Sequence, residues 1–257
     1  MILRFASCFL TLLLLGQPVQ AERSVTVFAA ASLKGALDLV IAAWPGQAVV
    51  SYGGSAAQAR QVALGAPADL VILANPDWMD WLAGQGALMP DTRVDLLANS
   101  LVLIGPADAP QLPDITAPTL LARLDGGRMA MGQHRSVPAG QYARSWMDNT
   151  GLWPVLSPHL AEVENVRLAL TLVALAEAPL GVVYATDAQA DPRVTVLYAI
   201  PPDEHAPIRY PAALSQLGAQ SDASAALLSF LSSETAAAIF AAHGFVPLGQ
   251  SQPQASQ

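Results

Sequence analysis

Two serines stand at the ends of the first two predicted strands, each directly before a helical pattern of apolar residues. Ser32 follows the run Val25–Ala31, and Ser55 follows Val49–Gly54. In an open α/β sheet such corners lie at the carboxyl edge, where ligands bind. A helix start offers unpaired N–H groups and a positive dipole end, and a serine adds a hydroxyl donor. The two corners predict a cup for a small anion; the alternative is that both serines are ordinary N-caps.

The second half of the chain supplies three more corners of this kind. They are the Pro138-Ala139 turn, the Asn165-Val166 helix start and Tyr184 at the end of an apolar strand. None of the corners carries a carboxylate, so a protonated oxyanion such as hydrogen phosphate finds no acceptor for its proton. The set predicts a preference for a fully deprotonated tetrahedral dianion, such as sulfate, molybdate or tungstate.

These corners require a framework in which strands alternate with helices, and the sequence has that pattern. A continuous apolar strand is predicted at 68–73, a helix opened by Asn75-Pro76-Asp77, and a fourth strand at 101–104. After a connection rich in Pro and Asp at 107–118 the pattern restarts. Asn165 is predicted to cap a helix with Leu168, Leu172 and Leu175 on one face. The fold class is therefore α/β, with mostly parallel sheets flanked by helices.

Composition excludes several classes of partner. The net charge is −8, Lys34 is the sole lysine and the arginines are scattered, so the chain lacks the basic face that nucleic acids and anionic membranes require. Apolar residues make up 53% of the chain, enough for two lobes with cores of their own. The single cysteine, Cys8, lies in a predicted signal sequence, so the mature chain has no disulfide.

The first residues are typical of an export signal. Arg4 gives the positive region, Phe9–Leu15 the apolar region and Val19–Ala21 a small-residue cleavage site. The apolar region is too short to span a membrane. The sequence thus predicts a signal peptide at 1–21 and a mature protein in an extracytoplasmic space.

Beyond these single features, the chain resembles the periplasmic molybdate-binding proteins of ModABC-type importers, the ModA family of solute-binding proteins. No single motif carries the resemblance, but the matching stretches run in family order over nearly the whole mature chain. They are Val27–Leu33, Ala66–Leu70, Trp78–Asp80, Asn99–Val102, Gly126–Arg128, Val137–Gly140, Glu177–Tyr184 and Phe240–Phe245.

The resemblance implies a type II-like periplasmic binding protein of two lobes, with the ligand cleft between them. The family holds its anion with two serines, backbone amides including those at an alanine and a valine, and a tyrosine hydroxyl. Matched by motif, these positions are Ser32, Ser55, Ala139, Val166 and Tyr184. Molybdenum would be bound only as the oxyanion, with no direct metal ligands, no catalytic residues and no cofactor besides the molybdate or tungstate ligand.

The resemblance also implies a place in the cell and a set of partners. We expect a periplasmic monomer that delivers its oxyanion to the permease and ATPase of an inner-membrane ABC transporter and does not bind nucleic acid. The predicted organisation is a signal at 1–21, lobe I at 22–103 plus 208–249, lobe II at 104–207 and a disordered tail at 250–257.

Two segments depart from the family pattern. The second loop reads Tyr52–Ala56 where a relative has a run of serines, and Arg135 is expected to add positive charge near the mouth of the cleft.

Three alternatives stay open: the same fold binding another deprotonated oxyanion such as sulfate, a secreted serine hydrolase, and a binding protein that signals through a partner. For a hydrolase, the spacing of Ser32 and Lys34 is unfavourable, since residues two apart on a helix do not face each other, and a Gly-x-Ser-x-Gly motif is missing.

Overall fold

Two β-sheets, each flanked by helices, form the part of the chain that the computed structural model describes, residues 24–248. The predicted signal peptide at 1–21 and the predicted tail at 250–257 lie outside these residues. The two-lobe α/β fold predicted from the sequence is confirmed.

The first sheet takes its strands from both ends of the chain, in the order β11-β4-β10-β3-β1-β2. Its strands are β1 (Val25–Ala30), β2 (Ala48–Gly53), β3 (Leu70–Ile72), β4 (Val94–Ala98), β10 (Arg209–Leu214) and β11 (Val246–Pro247). The helices of this part of the chain are α1 (Ala36–Ala43), α2 (Ser55–Ala63), α3 (Pro76–Gly84), α9 (Asp222–Leu231) and α10 (Glu234–Ala242).

The second sheet is built from the middle of the chain, in the order β7-β6-β8-β5-β9. Its strands are β5 (Leu101–Pro106), β6 (Met129–Gly132), β7 (Leu160–Val163), β8 (Leu180–Tyr184) and β9 (Val194–Ala199). The helices here are α4 (Ala117–Leu124), α5 (Pro138–Asn149), α6 (Trp153–Leu156), α7 (Val166–Ala174) and α8 (Ala185–Gln189).

Both sheets are mixed rather than mostly parallel. The strands joined through helices, β1 to β3 in one sheet and β6 to β8 in the other, pair in parallel. The strands on which the chain passes between sheets run the other way: β5 is antiparallel to β8 and β9, and β10 to β3 and β4. The prediction of mostly parallel sheets was wrong because it rested on strand–helix units, which pair in parallel, and left out the strands on which the chain passes between the sheets.

The first crossing lies earlier than predicted. The expected boundary after residue 103 falls inside β5, which pairs along its length in the second sheet, so the chain passes between sheets at Asn99 and Ser100. The strand before it, β4, was not predicted, because its first two residues are exposed and break the apolar pattern. The exact limits of the two lobes stay a prediction.

Alternation along β1 places apolar side chains on both faces of the first sheet. Val27 and Ala29 belong to a large core that continues into the second sheet, whereas Phe28 packs with α2 and α3 in a smaller one. The C-terminal helices return to the first lobe as expected, with α10 against α1. Within residues 24–248 no single helix could cross a membrane, although α9 and α10 together, bent by 54°, reach the required length and apolarity.

Candidate functional site

Ser32 does not begin a helix. It lies in a 3₁₀ turn, Ala31–Leu33, and α1 starts only at Ala36, after Gly35 at φ +92°. That backbone conformation strongly favours glycine, and it separates the turn from the helix. Ser32 is buried and its Oγ lies 3.0 Å from the Oη of Tyr210. The N-cap interpretation of Ser32 is therefore wrong.

Ser55 is the first residue of α2, whose N-cap is Gly54, so it is not an N-cap either. Its Oγ accepts a hydrogen bond from the backbone N–H of Ala74 at 3.0 Å. Because that N–H uses a lone pair of the oxygen, the hydroxyl hydrogen of Ser55 is left to donate. The side chain is buried, at 2% exposure, so this hydrogen cannot form a hydrogen bond to bulk water.

Two helix N-termini from the second lobe face these serines. Ala139 lies in the first turn of α5, whose N-cap, Val137, has no side chain able to accept from its amides. Close packing fixes this turn, since a Cβ on Gly140 would lie 2.1 Å from the carbonyl oxygen of Gly132. Val166 begins α7, where the Asn165 side chain accepts only from Leu168 N. First-turn amides at both helices are thus available to an anion.

Tyr184 ends β8 and is 1% exposed. Its Oη is buried without a hydrogen-bond partner among the described residues. Burial, with Tyr210 close by, raises the pKa of Tyr184 well above its usual value of 10, so the phenol keeps its proton. A buried hydroxyl in this state can donate a hydrogen bond to a ligand that enters the site.

All five residues predicted to bind the anion line one cavity between the lobes, here called the central cavity. The space between its lining atoms is about 220 Å³, part of it open to solvent. Its lining contains no charged side chain and no histidine, and its polar groups are hydroxyls, amides and one capping asparagine. The lining residues are Ala30, Ala31, Ser32, Gly53, Gly54, Ser55, Ala74, Val137, Pro138, Ala139, Asn165, Val166 and Tyr184.

Contacts between the lobes close the central cavity. On one side, Asn75 Nδ2 donates to Gln141 Oε1 at 2.8 Å, and Trp78 Nε1 donates to the carbonyl oxygen of Ser136 at 2.7 Å. At the rim, a Cβ on Gly54 would lie 2.4 Å from the carbonyl oxygen of Glu164. The lobes therefore meet so closely at this point that only a glycine fits.

Arg167 joins the lobes on another side. Its Nη2 donates to the carbonyl oxygens of Ser32, at 3.2 Å, and Lys34, at 3.3 Å. Its Nε lies 2.7 Å from Oδ1 of Asp187, which is fully buried. Burial raises the pKa of Asp187 to about 6, although the Arg167 guanidinium and the Tyr184 N–H oppose the rise. No sequence pattern singled out Asp187 or Arg167 as part of the site.

Two cationic side chains that the sequence analysis considered lie outside the central cavity. Arg135 does not line the central cavity; it lies at a separate surface pocket with Gln133, His134 and Glu162. The Lys34 side chain is 63% exposed and pairs with Asp38 at 3.1 Å, so it does not activate Ser32 as a nucleophile. Among the described residues, no group of three or more His, Cys, Asp or Glu is placed to hold a metal ion.

Comparison with known proteins agrees with this architecture. Residues 25–246 match the family model described as "Bacterial extracellular solute-binding protein". The chain is 39% identical over 248 residues to the molybdate-binding protein ModA of Escherichia coli K12, covering 94% of this chain and 96% of that protein. It is 36% identical to the molybdate-binding protein ModA of Haemophilus influenzae, covering 90% and 93%.

A solved structure supports the fold separately. The periplasmic molybdate-binding protein of Azotobacter vinelandii superposes with a TM-score of 0.75 at 21% identity, covering 88% of this chain and all of that one. The resemblance read from the sequence is confirmed. The chain belongs to the bacterial extracellular solute-binding protein family and, within it, to the ModA proteins.

Proposed function

We propose that this protein captures molybdate, and also tungstate, in the periplasm and delivers it to an inner-membrane ABC transporter. The observation that carries the proposal is the central cavity between the lobes, where buried hydroxyls and helix N-termini converge without a charged side chain. Donors alone suit a small dianion that carries no proton. The relatives named molybdate-binding protein, alike over nearly their whole length, favour molybdate over other such anions.

In the proposed complex, five groups donate to the oxyanion: the hydroxyls of Ser32, Ser55 and Tyr184, and the backbone amides of Ala139 and Val166. The first two belong to the first sheet's side of the cavity and the other three to the second, so the anion is enclosed only when the lobes meet. The ligand thereby stabilises the closed arrangement over an open one, because only the closed one offers all five donors.

Binding without chemistry is the activity that this geometry supports. Among residues 24–248, neither serine has a base beside it: the partner of Ser32 is the Tyr210 hydroxyl, and that of Ser55 is a backbone N–H. A nucleophilic serine needs a general base within hydrogen-bond reach. We therefore propose a monomeric binding protein whose partners are a permease and an ATPase, as is the rule for transport by ABC importers.

A thermal-shift screen of oxyanions on the mature protein tests the proposal. Molybdate and tungstate should raise the unfolding temperature by several degrees, since ligand at 1,000 times its Kd contributes about 4 kcal/mol. Phosphate, which carries a proton near neutral pH, should leave the temperature unchanged. A shift with sulfate alone would favour the sulfate-binding alternative, and a shift with phosphate alone would contradict the donor-only site.

A further inference from the structure

The two serines of the central cavity differ in how the protein holds their hydroxyl groups. A serine hydroxyl has one hydrogen to donate and lone pairs with which to accept. The partner of Ser55 is the N–H of Ala74, a group that can only donate, so the Ser55 hydrogen points elsewhere. The partner of Ser32 is the hydroxyl of Tyr210, and two hydroxyls by themselves can bond in either direction.

Asn99 removes that freedom. Its Nδ2, which only donates, lies 3.2 Å from Tyr210 Oη and 2.9 Å from Thr186 Oγ1. Its Oδ1 accepts the Ser100 N–H at 2.8 Å, which fixes the end of the amide that faces Tyr210. Tyr210 thus accepts from Asn99 and must place its own hydrogen on another group.

Within the described chain, the acceptor at hydrogen-bond distance from Tyr210 Oη is Ser32 Oγ, at 3.0 Å, whereas the nearby Tyr184 Oη makes no hydrogen bond. Tyr210 is fully buried, and a buried hydroxyl hydrogen without an acceptor is costly. Tyr210 therefore donates to Ser32. The Ser32 hydrogen is then directed away from Tyr210, on the side where its residue lines the central cavity.

We infer that Asn99 and Tyr210 are specificity-determining positioning residues, because the chain of hydrogen bonds from Asn99 through Tyr210 makes Ser32 a donor toward the ligand. This inference rests on the proposed function. The hydrogen of a protonated oxyanion would face the Ser32 hydrogen, so that two donors would meet. An unprotonated dianion instead accepts a hydrogen bond from Ser32. Neither residue touches the ligand; both act through Ser32, from the crossing after β4 and from β10.

Replacement of Tyr210 by phenylalanine tests the inference. The ring keeps its edge contacts with Tyr184 and Phe245, at centroid distances of 5.9 and 5.5 Å, but Ser32 becomes free to turn its hydrogen away and accept. Calorimetry should show molybdate affinity about tenfold weaker, and the ratio of molybdate to phosphate affinity reduced about tenfold or more. The probes are molybdate and inorganic phosphate near neutral pH, where phosphate always carries a proton.

Two further variants make the test specific. Tyr142→Phe removes a hydroxyl that is also buried and has no hydrogen-bond partner in the described chain, and it should keep the parent's ratio. Asn99→Ala should reduce the ratio in the parent but add nothing in the Tyr210→Phe background, because both changes break one chain. Asn99→Ala also serves as the primary test if Tyr210→Phe does not fold.

The outcomes separate this inference from the proposed function. A parent protein that ignores molybdate overturns the proposed function and this inference with it. A parent that binds molybdate, with Tyr210→Phe and Asn99→Ala both keeping its discrimination against phosphate, overturns this inference alone. A reduced ratio in Tyr142→Phe as well would overturn it too, since loss of any buried hydroxyl would then suffice.

Discussion

Ser55 illustrates how a single side chain becomes committed to a ligand. Its oxygen is already engaged by the Ala74 N–H, its hydrogen is not, and only 2% of the residue is exposed. A serine that merely capped a helix would bond an amide of its own first turn, and neither Ser55 nor Ser32 does so. Each serine therefore keeps a hydrogen to donate because of the partners that distant parts of the chain place beside it. Its position near a helix start is not the reason.

Ser32→Ala and Ser55→Ala should each weaken molybdate binding about 10- to 100-fold. A hydrogen bond to a charged group is worth about 1.5–3 kcal/mol, and each substitution removes one. Isothermal titration calorimetry measures the change. Ser224→Ala, which truncates a fully buried serine in α9 whose hydroxyl lacks a partner in the described chain, is the control. Parent-like affinity in both cavity variants would show that these serines are only structural.

The residues around the predicted binding positions could not be found from the sequence. Ser32 and Tyr210 are 178 residues apart and Asn99 and Tyr210 are 111 apart, so no local pattern links them. The predicted five were accessible because each lies within two residues of a strand end or a helix start, which is a local signal. Asp187 follows Tyr184 by three residues, but its ion-pair partner, Arg167, comes from another element.

At the scale of elements, local signals predicted helix starts better than they predicted faces. Asn75 and Asn165 cap α3 and α7 through their side chains, as their positions before the helices indicate. In α7, however, Leu168 is exposed, as is the C-cap Leu175, and the buried face is Val166, Ala169, Leu170 and Val173. Leucines lie on both sides of this helix, so the spacing of Leu168, Leu172 and Leu175 did not identify the buried side.

The junction between β8 and α8 gives a pH dependence that can be measured. The pKa of Asp187 rises from 3.8 to about 6 in the folded protein. Between about pH 4 and pH 6 the folded state therefore holds a proton that the unfolded chain has released. The contribution of this group to the free energy of unfolding is greatest below that window and falls as pH rises through it, by up to about 3 kcal/mol.

Asp187→Asn removes this titration. Denaturant unfolding of parent and variant at several pH values should show that the parent's stability relative to the variant decreases from about pH 4 to about pH 7. The comparison cancels the carboxylates common to both proteins. A relative stability that rises with pH would instead mean that the ion pair with Arg167 keeps the carboxylate charged and its pKa low.

At the scale of the whole molecule, Gly54 tests closure directly. Its φ of −63° suits alanine, yet an added Cβ would lie 2.4 Å from the Glu164 carbonyl oxygen across the cleft. Gly54→Ala should leave the unliganded protein folded but hold the lobes apart. Molybdate should then dissociate about tenfold faster or more, since contacts of the closed state act mainly on release. Stopped-flow measurements with excess tungstate as competitor report this rate.

Small-angle scattering gives the structural counterpart of that measurement. The radius of gyration of the parent should fall on addition of molybdate, and that of Gly54→Ala should change less. Gly84→Ala is the matched control, since an added Cβ there meets no atom of the described residues within 4 Å. Equal compaction and equal release rates in parent and Gly54→Ala would exclude the contact of Gly54 with Glu164 as part of closure.

The uncharged lining of the central cavity also sets how the protein responds to ionic strength. Sites that hold anions with arginine and lysine lose attraction as salt screens their charges. Here the donors are buried dipoles, out of reach of counterions, while the chain as a whole carries a net charge of −8 and repels a dianion at long range. Dissolved salt therefore screens only the repulsion. The association rate of the oxyanion should rise with ionic strength, while the lifetime of the closed complex stays the same.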